Sequence, residues 1–224
     1  MASHSYSIEF FGESRSFPDE HDFVEKAVSS GDISVLAGRC PVGASQLNEH
    51  RRLAVLVELD QDCLGGLADE SAGHSNVIGF ARWRLGDNAP TDLVELVTQP
   101  GTRPESIAAA RDIFEESGLA VAQCKDRIGR IVDRLIRPQF NLALNAVDDG
   151  LATADDLEMA LKLGLGYRRG LLRMVQESGL AQHHHVTEAL FKAYGHAKYS
   201  PPRSSIVASR VQALARTVAE GGEK

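Results

Sequence analysis

Two carboxylates stand where a chain could carry acid or base chemistry. Glu95 closes the apolar run Leu93-Val94 in a segment with strand composition, and Asp133 opens a long helical pattern beside Val132. Each alone reads as a solvated face residue or a cap. Brought together, the pair would repel and one pKa would rise, giving an acid near neutrality. His183, His184 and His185 form the histidine cluster, which reads as a helix start or exposed loop. Three adjacent imidazoles point in different directions and cannot by themselves make a tetrahedral metal site. Cys40, Cys63 and Cys124 lack ligand spacing and read as buried thiols. Phosphate chemistry needs a glycine turn between a strand and a helix. Gly164-Leu165-Gly166 with Gly170 follows a helix and has one residue too many, and Gly38 to Gly43 is interrupted by Pro41, so both read as structural turns.

The elements that must position these groups divide the chain in two. Strand patterns cover 33–38, 51–59, 76–85, 91–100 and 119–124. The stretch before residue 31 is polar and mixed, with a turn at Pro18-Asp19 and a short helix near 22–29. Pro104 fits the first turn of a helix that Gly118 stops, so strand, helix and strand alternate as in a parallel α/β layer. Beyond about residue 128 the period changes to three and four. A helix is predicted over 130–149, kinked at Pro138 and ended by Gly150, then one over 154–163 capped by Thr153 with Asp156, and others at 168–178, 186–194 and 204–219. The expected domains are therefore 1–127, an α/β domain, and 128–224, an all-helical domain.

The chain of 224 residues carries 24 basic and 31 acidic side chains, a balance of -7 that disfavours nucleic acid as a partner. No apolar run approaches the roughly 18 residues that span a bilayer, and the start MASHSYSIEFF has no basic or apolar leader region, so no membrane partner and a cytoplasmic location are expected.

Residues 126–170, DRIGRIVDRLIRPQFNLALNAVDDGLATADDLEMALKLGLGYRRG, resemble the opening of the helical C-terminal domain of the 3-hydroxyacyl-CoA dehydrogenase family. ALKLGLGY at 160–167 and DDGLATADDLEMA at 148–160 carry the likeness most specifically, and LFKAYGHAKYSPP at 190–202 is similar to the stretch before the family's last helix. NVIGFARWRLGDNAPTDLVELV at 76–97 resembles the end of the nucleotide domain, where a strand with Gly-x-His-Phe-Phe-Asn-Pro leads to Leu-Val-Glu-Val-Val; residues 105–126 resemble the helix and strand that follow. Residues 33–75 then stand as a shortened version of the preceding strands, so the resemblance implies that the α/β domain over 1–127 is a truncated Rossmann-like one.

Carried over by position, the resemblance places the family's general base on Ala81, its base-orienting glutamate on Glu95 and its carbonyl-polarising asparagine on Asp133. A methyl group cannot accept a proton, so ordinary hydride transfer lacks its base. His74 is the nearest substitute in sequence. Tyr-Pro-x-Gly-Pro has become Tyr167-Arg168-Arg169-Gly170-Leu171, and Phe-Phe-Asn-Pro has become Arg82-Trp83-Arg84-Leu85. These departures and the absent glycine turn lead to the expectation of a dimeric acyl-CoA-binding or assembly module without a cofactor, held as a homodimer mainly by residues 130–180, whose apolar helical surface exceeds what one copy can enclose; the resemblance implies the same dimer. The alternative is an active oxidoreductase using NAD, with Glu95 and Asp133 as a new acid/base pair and Arg82, Arg84, Arg168 or Arg169 facing substrate phosphates.

Overall fold

The computed structural model describes residues 4–41, 51–67 and 75–221. Two compact units emerge, one formed by 1–84 with 88–131, the other by 85–87 with 132–224. The observed boundary falls four residues beyond the expected one.

The first unit is built on a six-stranded sheet whose spatial order follows the sequence: β1 (Tyr6–Phe11), β2 (Ile33–Gly38), β3 (Ala54–Glu58), β4 (Val77–Arg82), β5 (Leu93–Thr98) and β6 (Ala120–Lys125). β1 to β4 are parallel, β5 turns antiparallel to β4, and β6 is parallel to β5. The chain reverses at β4 because only residues 83–92 separate it from β5, fewer than the dozen or so a parallel crossover needs. Every residue of β3 and β4 is buried, which is why both read as unbroken apolar runs.

One face of the sheet packs Ile33, Val35, Leu56, Ile78, Phe80 and Leu96 under α2 (Pro104–Glu115), which contributes Ala109, Ala110, Ile113 and Phe114. Phe17, Phe23 and Phe114 extend this core as a stack, with ring centroids 4.8 and 4.7 Å apart. The opposite face buries Leu36, Val55, Val57, Val77 and Val97 beneath Leu59 and Leu64 of the loop after β3. Before β2 the only helix among the described residues is α1 (Asp22–Glu25), a single turn. β1 adds a strand to the stretch before residue 31 that reads as polar and mixed: as an edge strand it buries Tyr6 alone, so its sequence shows no sustained apolar face.

The second unit is helical: α3 (Val132–Asp148), α4 (Ala154–Met159) continuing into a π-helical turn (Ala160–Gly164), α5 (Leu171–Glu177), α6 (Leu180–Tyr194) and α7 (Arg203–Gly221). α3 runs through Pro138 as one helix. Thr153 caps α4 by accepting from the amide of Asp156, as its spacing predicts. The core gathers Phe140, Ala143 and Leu144 of α3, Leu172 and Val175 of α5, Val186 and Leu190 of α6, and Tyr199. Glu158 caps α5, its Oε1 accepting from the amides of Leu172 and Arg173 at 2.8 and 3.2 Å. A side chain at Gly170 would collide with that carboxylate, so glycine stands where the chain enters α5. Among the described residues no helix is long and apolar enough to cross a membrane.

Candidate functional site

Ala81 of β4 and Glu95 of β5 are direct partners across the antiparallel pair. Side chains opposite each other in such a pair share one face of the sheet and touch. A base at 81 would therefore lie beside the Glu95 carboxylate, and alanine leaves that carboxylate to other donors. Glu95 is 1% exposed. Its Oε1 accepts from the amide of Ile131 at 2.7 Å, and Nε of Arg130 lies 3.3 Å from its Oε2. Gly129 and Arg130 make this possible by taking consecutive left-handed conformations, φ 76° and 44°. For arginine that conformation costs about 1–2 kcal/mol, which two charge-assisted bonds to a buried carboxylate offset. Arg130 also donates to the carbonyl of Asp60 at 2.9 Å. Burial and the nearby Glu95 charge push the Cys124 thiol up to about 11, which leaves it protonated at neutral pH.

Asp133 is 5% exposed and accepts from Nε of Arg137, one helical turn on, at 2.9 Å. Arg137 reaches Nδ1 of His183 at 3.3 Å, and Nε2 of His183 lies 2.8 Å from Oδ1 of Asn141. The amide of Asn141 donates to Thr187 and to the carbonyl of Lys198, both at 2.9 Å. The histidine run lies in the opening turns of α6, as one of its two readings has it, and the burial of His183 corrects the other, an exposed loop; His185 is exposed. Asp133 thus begins a polar chain through the helical core, and each of the two carboxylates is balanced by a guanidinium from its own unit.

Arg82 is buried and fully engaged: it donates to the carbonyls of Thr91 and Ser16 at 2.9 and 3.0 Å, and its guanidinium lies 5.1 Å from the Phe17 ring. Burial lowers its pKa. Its role is to tie the N-terminal loop to the β4–β5 turn, which corrects the expectation that it faces a phosphate. Arg84 donates to the carbonyl of Asn88 at 2.6 Å inside the same turn. Arg168 is exposed, and Arg169 pairs with Glu177. Arg130, Arg137 and Glu58 were not singled out by sequence reasoning; the four-residue step from Asp133 to Arg137 is the one signal that marks a pair in advance. His74 and Gly43 lie outside the described residues.

A dinucleotide needs a pyrophosphate cradle of free backbone N–H groups, placed at the carboxyl ends of parallel strands where the strand order reverses. The sequential order of this sheet has no such reversal. At the ends of β1 and β2, moreover, an anion of the protein's own is already seated. The buried Glu58 carboxylate, at the end of β3, accepts from the amides of Ser16 and Gly38 at 2.6 and 2.5 Å and from the Ser14 hydroxyl at 2.7 Å. Among the described residues, this end of the sheet does not fit the cofactor.

Residues 129–221 match the family model of the 3-hydroxyacyl-CoA dehydrogenase C-terminal domain. Over this stretch the chain carries a C-terminal domain of the 3-hydroxyacyl-CoA dehydrogenase family. It is 33% identical over 112 residues to 3-hydroxybutyryl-CoA dehydrogenase of Mycobacterium tuberculosis, a match covering 49% of this chain and 39% of that protein. With mitochondrial hydroxyacyl-coenzyme A dehydrogenase of Sus scrofa it shares 34% identity over 88 residues, 39% of this chain and 28% of the relative. The chain thus spans less than half the length of these dehydrogenases. In fold it is similar to (S)-3-hydroxybutyryl-CoA dehydrogenase PaaH1 from Ralstonia eutropha, with a TM-score of 0.64 and 19% identity over 85% of this chain and 70% of that one. The dehydrogenase fold is therefore kept more broadly than the dehydrogenase sequence.

Proposed function

We propose that this member of the 3-hydroxyacyl-CoA dehydrogenase family does not carry out NAD-dependent hydride transfer and works as a dimeric module for acyl-CoA binding or assembly. The observation that carries the reading is the pairing of Ala81 with Glu95, whose carboxylate is given over to Arg130 and the amide of Ile131. General bases contribute about 10²–10⁴-fold, and a carboxylate committed to two donors is not placed to orient one. The Glu58 carboxylate seated among the strand-end amides supports the absence of a dinucleotide in the same way.

For the ligand, exposed Arg168 beside the Tyr167 turn supplies positive charge to which an acyl-CoA phosphate is suited. For assembly, the helical unit exposes large apolar side chains that a domain of this size ordinarily covers, among them Leu135, Leu142, Leu151, Leu163 and Leu165. A closed dimer buries one such patch against its own copy.

The test is turnover of NADH with acetoacetyl-CoA, followed at 340 nm (the nicotinamide absorbance) and paired with a thermal melt. The wild-type chain is expected to oxidise no NADH above a protein-free control, while acetoacetyl-CoA raises its melting temperature at low salt. Ala81→His is also expected to remain inactive, because Arg130 and the Ile131 amide hold both oxygens of Glu95. Oxidation of NADH by the wild-type chain, or its recovery in Ala81→His alone, would contradict the reading.

A further inference from the structure

β5 runs antiparallel to β4, so the carboxyl ends of β5 and β6 lie at the opposite edge of the sheet from the Glu58 carboxylate. A groove of about 670 Å³ opens there, within the first unit, and Thr98, Gln99, Gln123, Lys125, Asp126 and Arg127 line it. That volume is in the range of small-molecule sites. None of the groups considered above for hydride transfer or acyl-CoA binding is among these six.

Most polar groups of the groove are satisfied by the protein itself. Asp126 accepts from the amides of Leu64 and Gly65 at 2.7 and 2.6 Å, so its carboxylate is taken up by the loop after β3. Thr98 accepts from the side-chain amide of Gln123 at 3.3 Å and donates to the carbonyl of Cys124 at 3.4 Å. Gln99 is the exception. It is 5% exposed, and its Nε2 lies 3.4 Å from Oδ2 of Asp126, while its Oε1 is buried and accepts from no donor among the described residues. Turning the amide over would set its oxygen against the carboxylate, so the group left over is an acceptor. A buried acceptor without a donor keeps its full desolvation cost, and each such group in a folded protein calls for a reason. A donor supplied by a ligand in the groove is one.

The rim of the groove carries charge of one sign. Lys125 and Arg127 are both exposed, two residues apart; Arg127 donates to the carbonyl of Asp126 at 2.8 Å, and no carboxylate among the described residues pairs with either. Two neighbouring cations, one of them a planar guanidinium, suit a phosphate group better than a single negative charge. The same two charges repel an amine, so the donor that meets Gln99 is a neutral hydroxyl. We propose that this groove binds a small phosphate monoester that also carries a hydroxyl group, with the phosphate held by Lys125 and Arg127 and the hydroxyl donating to Oε1 of Gln99.

The test follows two-dimensional amide NMR spectra of the full-length chain titrated with ribose 5-phosphate, inorganic phosphate or ribose at low salt. Ribose 5-phosphate is expected to shift the backbone signals of Thr98, Lys125 and Arg127 and the side-chain amides of Gln99 and Gln123 saturably. It should bind at least about tenfold more tightly than phosphate or ribose alone. Lys125→Ala/Arg127→Ala changes two exposed positions, so it is expected to keep the spectrum of the folded chain and to lose the response to both phosphates. Gln99→Met removes Oε1 with little change in volume. It is expected to reduce the affinity for ribose 5-phosphate to that for inorganic phosphate, which itself stays unchanged. Four results would each overturn the assignment: no saturable shift through about 10 mM ribose 5-phosphate, equal affinities for it and inorganic phosphate, shifts that persist in Lys125→Ala/Arg127→Ala, or wild-type affinity in Gln99→Met.

Discussion

Replacing Asp133 by alanine is expected to lower the stability of the helical unit by about 3–5 kcal/mol, the usual cost of removing one partner from a buried ion pair. The side chain of Arg137 is 4% exposed, and its guanidinium has Asp133 on one side and His183 on the other. Without the carboxylate a full positive charge stays in the core beside an imidazole that accepts but cannot compensate it. Asp133→Asn keeps an acceptor for Nε of Arg137 and costs less. Arg168→Ala on the exposed turn is the control and should stay within about 0.5 kcal/mol. Urea unfolding monitored by helical ellipticity measures all three. A loss below about 1 kcal/mol in Asp133→Ala would mean that Arg137 finds another acceptor, and that the pair does not organise the core.

Acidification should weaken the same unit, through His183. Arg137 is always a donor, so Nδ1 of His183 accepts and Nε2 carries the proton given to Asn141. Burial foremost, then the Arg137 charge and then His184 lower its pKa to about 3. In the unfolded chain the value is about 6.5. Between those limits the unfolded state binds a proton that the folded state does not, so stability is full above about pH 6.5 and falls by about 1.4 kcal/mol per pH unit as pH drops towards 3. From pH 7 to pH 5 the contribution is about 2 kcal/mol, most of it lost below pH 6.5. His184, whose pKa is lowered chiefly by burial, adds in the same direction. His183→Gln removes the His183 component. Its urea midpoints should therefore fall less steeply between pH 7 and pH 5 than those of the wild-type chain. Parallel pH profiles for the two proteins would show that His183 is not the proton-linked group.

How far these features were legible follows from the kind of signal each leaves. β3 and β4 are buried on both faces, and such strands announce themselves as apolar runs. Thr153 and Asp156 mark their helix start through a local spacing that tertiary context does not alter. β1 left little trace because an edge strand half open to solvent alternates weakly. Arg82 invites a surface reading, since arginine is seldom buried unless paired; its partners are backbone carbonyls brought from residues 16 and 91, which no local pattern shows. His183 was masked by its neighbours, because one of three adjacent helical residues faces the core and the run gives no hint which. The position of Glu95 followed from family resemblance, but its occupation by Arg130 depends on two successive left-handed residues, of which only Gly129 has a type that suggests one.

Calorimetric titration of the full chain with NAD tests the proposed absence of a dinucleotide site most directly. Glu58 occupies the amides of Ser16 and Gly38 near the ends of β1 and β2, and among the described residues the sequential sheet has no reversal of strand order. The predicted result is no saturable heat through millimolar NAD. A dissociation constant below about 100 μM, corresponding to more than about 5 kcal/mol of binding free energy, would contradict it and restore the reading of an active oxidoreductase.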